Sequence, residues 1–150
     1  MKNVIVGDIT VKPVVEDPRS FFDPTTFFPD LTREIVEAER SWMEPHFYDP
    51  DSGNLVLNVQ GFVFEAGGRV ILMDTCVGNH KQGRNNPGWN GGNWPWLENL
   101  QVAGYAPEDI DVVLCTHLHV DHVGWNTRLE NGVWVPTFPN AEYLSARDEM

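Results

Sequence analysis

Two runs of this chain leave little freedom in how it can fold. Residues 69–75 (RVILMDT) and 110–116 (IDVVLCT) are short, rich in β-branched residues and nearly free of polar alternation. A strand with one wet face alternates apolar and polar residues, whereas a strand that reads as one apolar run is covered on both faces. Between the two runs, residues 94–103 read as a helix, with Asn93 as its cap, Pro95 in its first turn and Gly104 just past its end. Strand, helix and strand in this order predict an α/β architecture.

The remaining elements fit around that unit. Leu55, Leu57 and Val59 alternate with Asn58 and Gln60, so residues 54–66 read as a strand, joined to 69–75 by a Gly67-Gly68 hairpin turn. Val4, Val6, Ile9, Val11, Val14 and Val15 predict one or two strands over 3–15. Pro18, Pro24 and Pro29 predict an irregular segment over 16–30 that packs Phe21, Phe22, Phe27 and Phe28 onto the body. Leu31, Ile35, Ala38 and Trp42 share one face of a helix over 31–43, capped by Asp30 and stopped by Pro45. Residues 76–93 form a long loop. A turn at Pro107–Asp109, a hairpin about Asn131-Gly132, a strand at 142–145 and the opening of a helix at 146–150 complete the pattern.

The chemistry concentrates in Thr116-His117-Leu118-His119-Val120-Asp121-His122, which follows the second buried run. In extended backbone alternate side chains point the same way, so His117, His119 and Asp121 can converge, and His122 joins them if the chain turns. Imidazole nitrogen and carboxylate oxygen are good ligands for zinc. Three of the chain's five histidines lie here, after a strand end, where α/β folds place their sites. Surface polarity of an ordinary loop is the competing explanation, and the density of donors weighs against it.

This string, with Val123-Gly124-Trp125-Asn126 after it, resembles the H-x-H-x-D-H signature of the metallo-β-lactamase superfamily. Ile71–Cys76 resembles that family's strand ending in Asp-Thr, and Phe138–Tyr143 its strand after the metal loop. The resemblance covers residues 54–150 and is strongest toward the branch of N-acyl homoserine lactonases and methyl parathion hydrolase. It implies a four-layer αββα sandwich and two divalent metal ions, expected to be zinc. His117 and His119 would bind one ion, and Asp121 and His122 would help bind the other. The implied activity is metal-dependent hydrolysis, in which zinc-bound hydroxide attacks an ester, a lactone or a related bond. Asp121 is expected to act catalytically by orienting the nucleophile. Asp74 is expected either to orient a metal ligand or to cap a loop.

The chain departs from the family after His122, where it holds no histidine, although the family draws further ligands from downstream. It reads as the N-terminal part of a single domain of this fold, which would leave one inner sheet face open. Pairing with a second copy as a homodimer is one way to cover that face. The rival reading is a truncated, non-catalytic metal-binding fragment or interaction module.

Composition narrows the partners. The formal net charge of −12 disfavours nucleic acid, and no apolar run reaches the length of a membrane span. The first ten residues lack a basic region followed by a long apolar stretch, so a cytoplasmic protein acting on a small-molecule substrate is expected. The two cysteines, Cys76 and Cys115, are expected to be reduced, Cys115 as a small buried residue and Cys76 either buried or near a metal. Trp89, Trp94 and Trp96 either pack the helix start onto the body or wall a substrate site. His80 and Lys81 sit in the same loop, solvated or in reach of substrate.

Overall fold

The computed structural model describes residues 2–149, the side chains of residues 19–21 excepted. The chain divides into two compact units, Met1–Glu16 with Val59–Met150, and Asp17–Asn58.

In the larger unit one mixed sheet organises the site. Its strands are β1 (Val4–Val6), β2 (Ile9–Phe22), β4 (Asn54–Ala66), β5 (Arg69–Met73), β6 (Val112–Leu114) and β9 (Glu142–Leu144), in that spatial order; β2 and β4 extend beyond this unit. β1–β2 and β4–β5 pair antiparallel, as short turns allow, while β5–β6 and β6–β9 are parallel. The β5–β6 crossover carries the long 76–93 loop and helix α3 (Trp96–Val102). Asn131 and Gly132 both take positive φ, 50° and 82°, and turn the hairpin of β7 (Thr127–Glu130) and β8 (Val133–Pro136) as expected.

Leu72 lies in register with Val63 on one side and Val113 on the other, and all three are fully buried. They share a core with Trp96 and Leu100 of α3, Trp125 and Phe138. Each fully buried Val or Leu contributes about 1.5–3 kcal/mol. On the opposite face Ile71, Met73 and Leu114 are only half buried, and Leu144 of β9 is exposed. The expected cover on both faces of 69–75 is therefore met on one face only, because α3 shields that face alone.

Other expectations shift at their edges. Residues 16–22 are not irregular, since β2 continues as a strand to Phe22 despite Pro13 and Pro18. Helix α3 begins at Trp96 with Pro95, not Asn93, at its cap position. Asn79 fixes that start instead, its Nδ2 donating to the Trp94 carbonyl (2.9 Å) and its Oδ1 accepting from the Trp94 amide (2.7 Å). Residues Arg147–Glu149 form a single 3₁₀ turn, and Met150 lies outside the described residues.

The smaller unit holds α1 (Pro24–Phe27), α2 (Arg33–Met43) and the short β3 (Tyr48–Asp49) paired with the start of β4. Thr32, not Asp30, caps α2, and the helix buries Val36 while Ile35 and Trp42 are exposed. Periodicity marked a different stripe. The Val36–Arg40 side is the one turned inward: Val36 is buried, and the Arg40 guanidinium lies over the Tyr48 ring, 5.8 Å from its centroid, while pairing along the helix with Glu37 and Glu44. Phe22 packs on Phe27 and Phe27 on Phe28, but the last two stay about half exposed. Phe21 is outside the described side chains. Among the described residues no helix is long and apolar enough to cross a membrane.

Candidate metal centre

The sheet ends β5 and β6 side by side, and both strands turn sharply there. Asp74 and Cys76 adopt positive φ of 57° and 52°, a conformation Asp tolerates better than most residues. The Asp74 amide donates to the Leu114 carbonyl (3.0 Å), so the two strand ends stay in step. The chain after β6 then folds back over the end of β5. The Thr75 amide donates to the His122 carbonyl (2.8 Å), the Gly124 amide to Cys76 (2.7 Å) and the Trp125 amide to Thr75 (2.8 Å). A turn closed by the His122 amide on the His119 carbonyl (3.0 Å) brings His122 back toward the two earlier histidines.

The result is a tight group of rings. The His117 centroid lies 3.9 Å from that of His122 and 4.6 Å from that of His119. Asp121 Oδ2 stands 3.5 Å from His122 Nε2. His117, Asp121 and His122 are half buried and His119 is exposed. All four residues singled out in the sequence therefore come together on one rim of the sheet. The exposed His80 is held elsewhere in the 76–93 loop, its amide donating to the Gly92 carbonyl (3.0 Å).

Asp74 does both things expected of it as alternatives. It is nearly buried, accepts from the Thr116 amide (2.8 Å) and hydroxyl (2.8 Å), and lies 2.9 Å from His122 Nδ1. A carboxylate only accepts, so Nδ1 carries the proton at this contact, and Nε2 is the nitrogen turned toward Asp121. Thr75 adds a hydroxyl bond to Asn126 Oδ1 (2.8 Å), and Asn126 Nδ2 donates to Cys115 Sγ (3.4 Å). Both cysteines are free and buried, and burial pushes both thiols up from their ordinary range. They are packing residues. Trp96 is likewise a packing residue, fully buried and stacked 5.5 Å from Trp125, while Trp89 and Trp94 rest partly buried against the same core.

The sequence reading missed Glu16. This residue is 3% exposed. Its carboxyl group accepts from the Val77 and Gly78 amides (2.9 Å each) and from Trp125 Nε1 (2.7 Å). It thereby ties β2 to the loop after β5 and to the turn after the histidines. One signal was present: with a period of two, Glu16 falls on the same face as the buried Val14.

The donor chemistry fits a divalent ion: imidazoles and a carboxylate gathered together, one imidazole with its tautomer set by Asp74. The geometry is open, for among the described residues no group of three or more His, Cys, Asp or Glu side chains is placed to hold an ion.

The family profile described as the metallo-beta-lactamase superfamily matches residues 54–147. No curated protein matches the chain. Among solved structures, the hydrolase AbOPH of the beta lactamase superfamily shares 26% identity at a TM-score of 0.70, over 98% of this chain and 44% of its own. A probable metal-dependent hydrolase from Staphylococcus aureus matches at 20% identity and a TM-score of 0.71, over 97% of this chain and 50% of its own. AidC, a dizinc quorum-quenching lactonase, matches at 21% identity and a TM-score of 0.71, over 99% of this chain and 45% of its own. The chain thus spans about half the length of these structures. It belongs to the metallo-β-lactamase superfamily, whose fold it shares in part.

Proposed function

We propose that this chain is the N-terminal part of a single metallo-β-lactamase-fold domain, and that the protein is a metal-dependent hydrolase of an ester, a lactone or a related bond. The observation that carries this is the cluster of His117, His119 and His122 beside Asp121, with His122 locked by Asp74. His117 and His119 would hold one divalent ion, and Asp121 and His122 a second, zinc in both cases; the remaining ligands would lie outside these residues. When bound, such ions supply Lewis acidity that polarises the scissile oxygen and acidifies water.

The chain's own groups do the rest. Asp74, itself held by the Thr116 hydroxyl, orients His122 through Nδ1, which leaves Nε2 on the side of Asp121 to meet an ion. Asp121 is half buried, so its carboxylate can orient a water molecule and take up a proton without being fully solvated. The substrate is a small molecule and the setting cytoplasmic, with neither nucleic acid nor membrane as partner. A second reading, a metal-binding fragment or interaction module without turnover, is favoured by the open geometry of the donors.

Elemental analysis of the full-length protein after gel filtration should find about two divalent ions per chain. Asp121→Ala should abolish most hydrolysis across a panel of esters and lactones, while His80→Ala should be nearly silent. Equal losses in kcat/KM for the two variants would refute the assignment. Bound metal without turnover of any substrate would favour the second reading.

A further inference from the structure

The chain holds ten Lys and Arg residues against 22 Asp and Glu, so an available carboxylate is easy for a cation to find. Arg33, Arg40, Arg69 and Arg128 each pair with one. Lys81 and Arg84, three positions apart in the 76–93 loop, are half buried and have no carboxylate partner among the described residues. Among the described residues Arg84 Nε is buried with no acceptor, and the guanidinium makes one long hydrogen bond, 3.5 Å from Nη2 to the Val77 carbonyl. Lys81 Nζ donates to Thr127 Oγ1 (2.6 Å) and sits 3.5 Å from the centre of the Trp134 ring.

The backbone beneath these side chains is fixed. The Asn90 carboxamide accepts from the Arg84 amide and donates to the Arg84 carbonyl, both at 2.9 Å, and the Gly91 amide donates to the Lys81 carbonyl at 2.7 Å. Partial burial first, and the charge of Arg84 next, push Lys81 down to about 8. Two cations of one clamped loop, each half out of water and neither paired with a carboxylate among the described residues, are unfavourable until a negative charge joins them.

We propose that Lys81 and Arg84 form a binding site for a small oxyanion, a carboxylate or a phosphoryl group. The guanidinium fork matches two oxygens of either group, and the ammonium adds a second charge. The loop that carries the two cations is packed against the turn that follows the histidines. It leaves β5 at Asp74, and the Val77 carbonyl that Arg84 touches is packed against Gly124, just after His122. The binding site stands without the hydrolytic reading. Its use as an anchor for the anionic end of a substrate rests on that reading.

The test titrates the full-length protein with inorganic phosphate and, separately, with acetate at constant ionic strength, by calorimetry. Saturable binding should weaken about tenfold or more in Lys81→Met and in Arg84→Met, partly recover in Arg84→Lys, and persist in Lys2→Gln and in a His117→Ala/His119→Ala double variant. The ratio of the two affinities names the anion the site serves. Circular dichroism verifies each fold, and Lys81→Arg, which keeps the charge, should bind nearly as well as the parent. Absent saturation, unchanged affinity in the two methionine variants, or loss of binding in the histidine variant alone would each overturn the proposal. The last outcome would put the anion on the metal ligands, and hydrolysis could still hold.

Discussion

Replacing Asp74 by Asn tests whether a carboxylate governs His122. The exchange keeps side-chain shape, and Asn accepts the φ of 57° at this position as readily as Asp does, so backbone strain does not enter. The remaining oxygen can still accept from the Thr116 amide, now 2.8 Å away. The new NH₂ group faces His122 Nδ1, at present 2.9 Å from Oδ2, and two donors cannot share that gap. His122 relieves the clash by moving its proton to Nε2, so that Nδ1 accepts, and the nitrogen offered to a metal is then blocked. Loss of such a ligand-orienting partner lowers metal affinity by about 10–100-fold, which is roughly 1.4–2.7 kcal/mol. Competition with a chromophoric chelator measures the affinity in the full-length protein, and long-range ¹H–¹⁵N correlation of the imidazole reads the tautomer in the metal-free state. An Asn variant that binds metal as tightly as the parent, with the proton still on Nδ1, would refute the reasoning.

Two further changes probe the scaffold. Glu16→Gln puts a donor where amides and an indole already donate within 2.9 Å, so it should lower stability by about 1–3 kcal/mol. A thermal melt followed by tryptophan fluorescence checks this, and an unchanged Tm would show that the buried carboxyl group is dispensable. Gly124→Ala would place a Cβ 1.9 Å from the Val77 carbonyl oxygen. It should lower the denaturant midpoint by the equivalent of at least about 1–3 kcal/mol, and a wild-type midpoint would mean that the two loops are not in contact.

How much was legible beforehand depended on sequence distance. The clustering of His117, His119, Asp121 and His122 could be read because they lie within one short string and follow a strand whose apolar run announces itself. The same runs carried the strand, helix, strand order, with which the parallel pairing of residues 71–73 with 112–114 agrees. The strand period could place Glu16 on the buried face, but its bonds were illegible because its partners stand 61, 62 and 109 positions away, and no local pattern encodes a bond of that span. The stripe of α2 went astray for a related reason. Leu31, Ile35, Ala38 and Trp42 are periodic, but the buried side is the one that meets Tyr48, a residue beyond the helix. The half-covered face of β5 shows the limit of reading burial from composition, since an apolar run states what a strand tolerates and not what lies against it.

The close meeting of Gly78 and Gly124 has a mechanical consequence. A Cβ on Gly78 would come within 2.6 Å of the Gly124 carbonyl carbon, so the two backbones touch with no side chain between them to act as a cushion. With the Gly124 and Trp125 amides also bonded across this seam, the loop bearing Lys81 and the turn bearing His122 behave as one stiff lever. Neither can open alone, and their amides should exchange with solvent as a single cooperative unit.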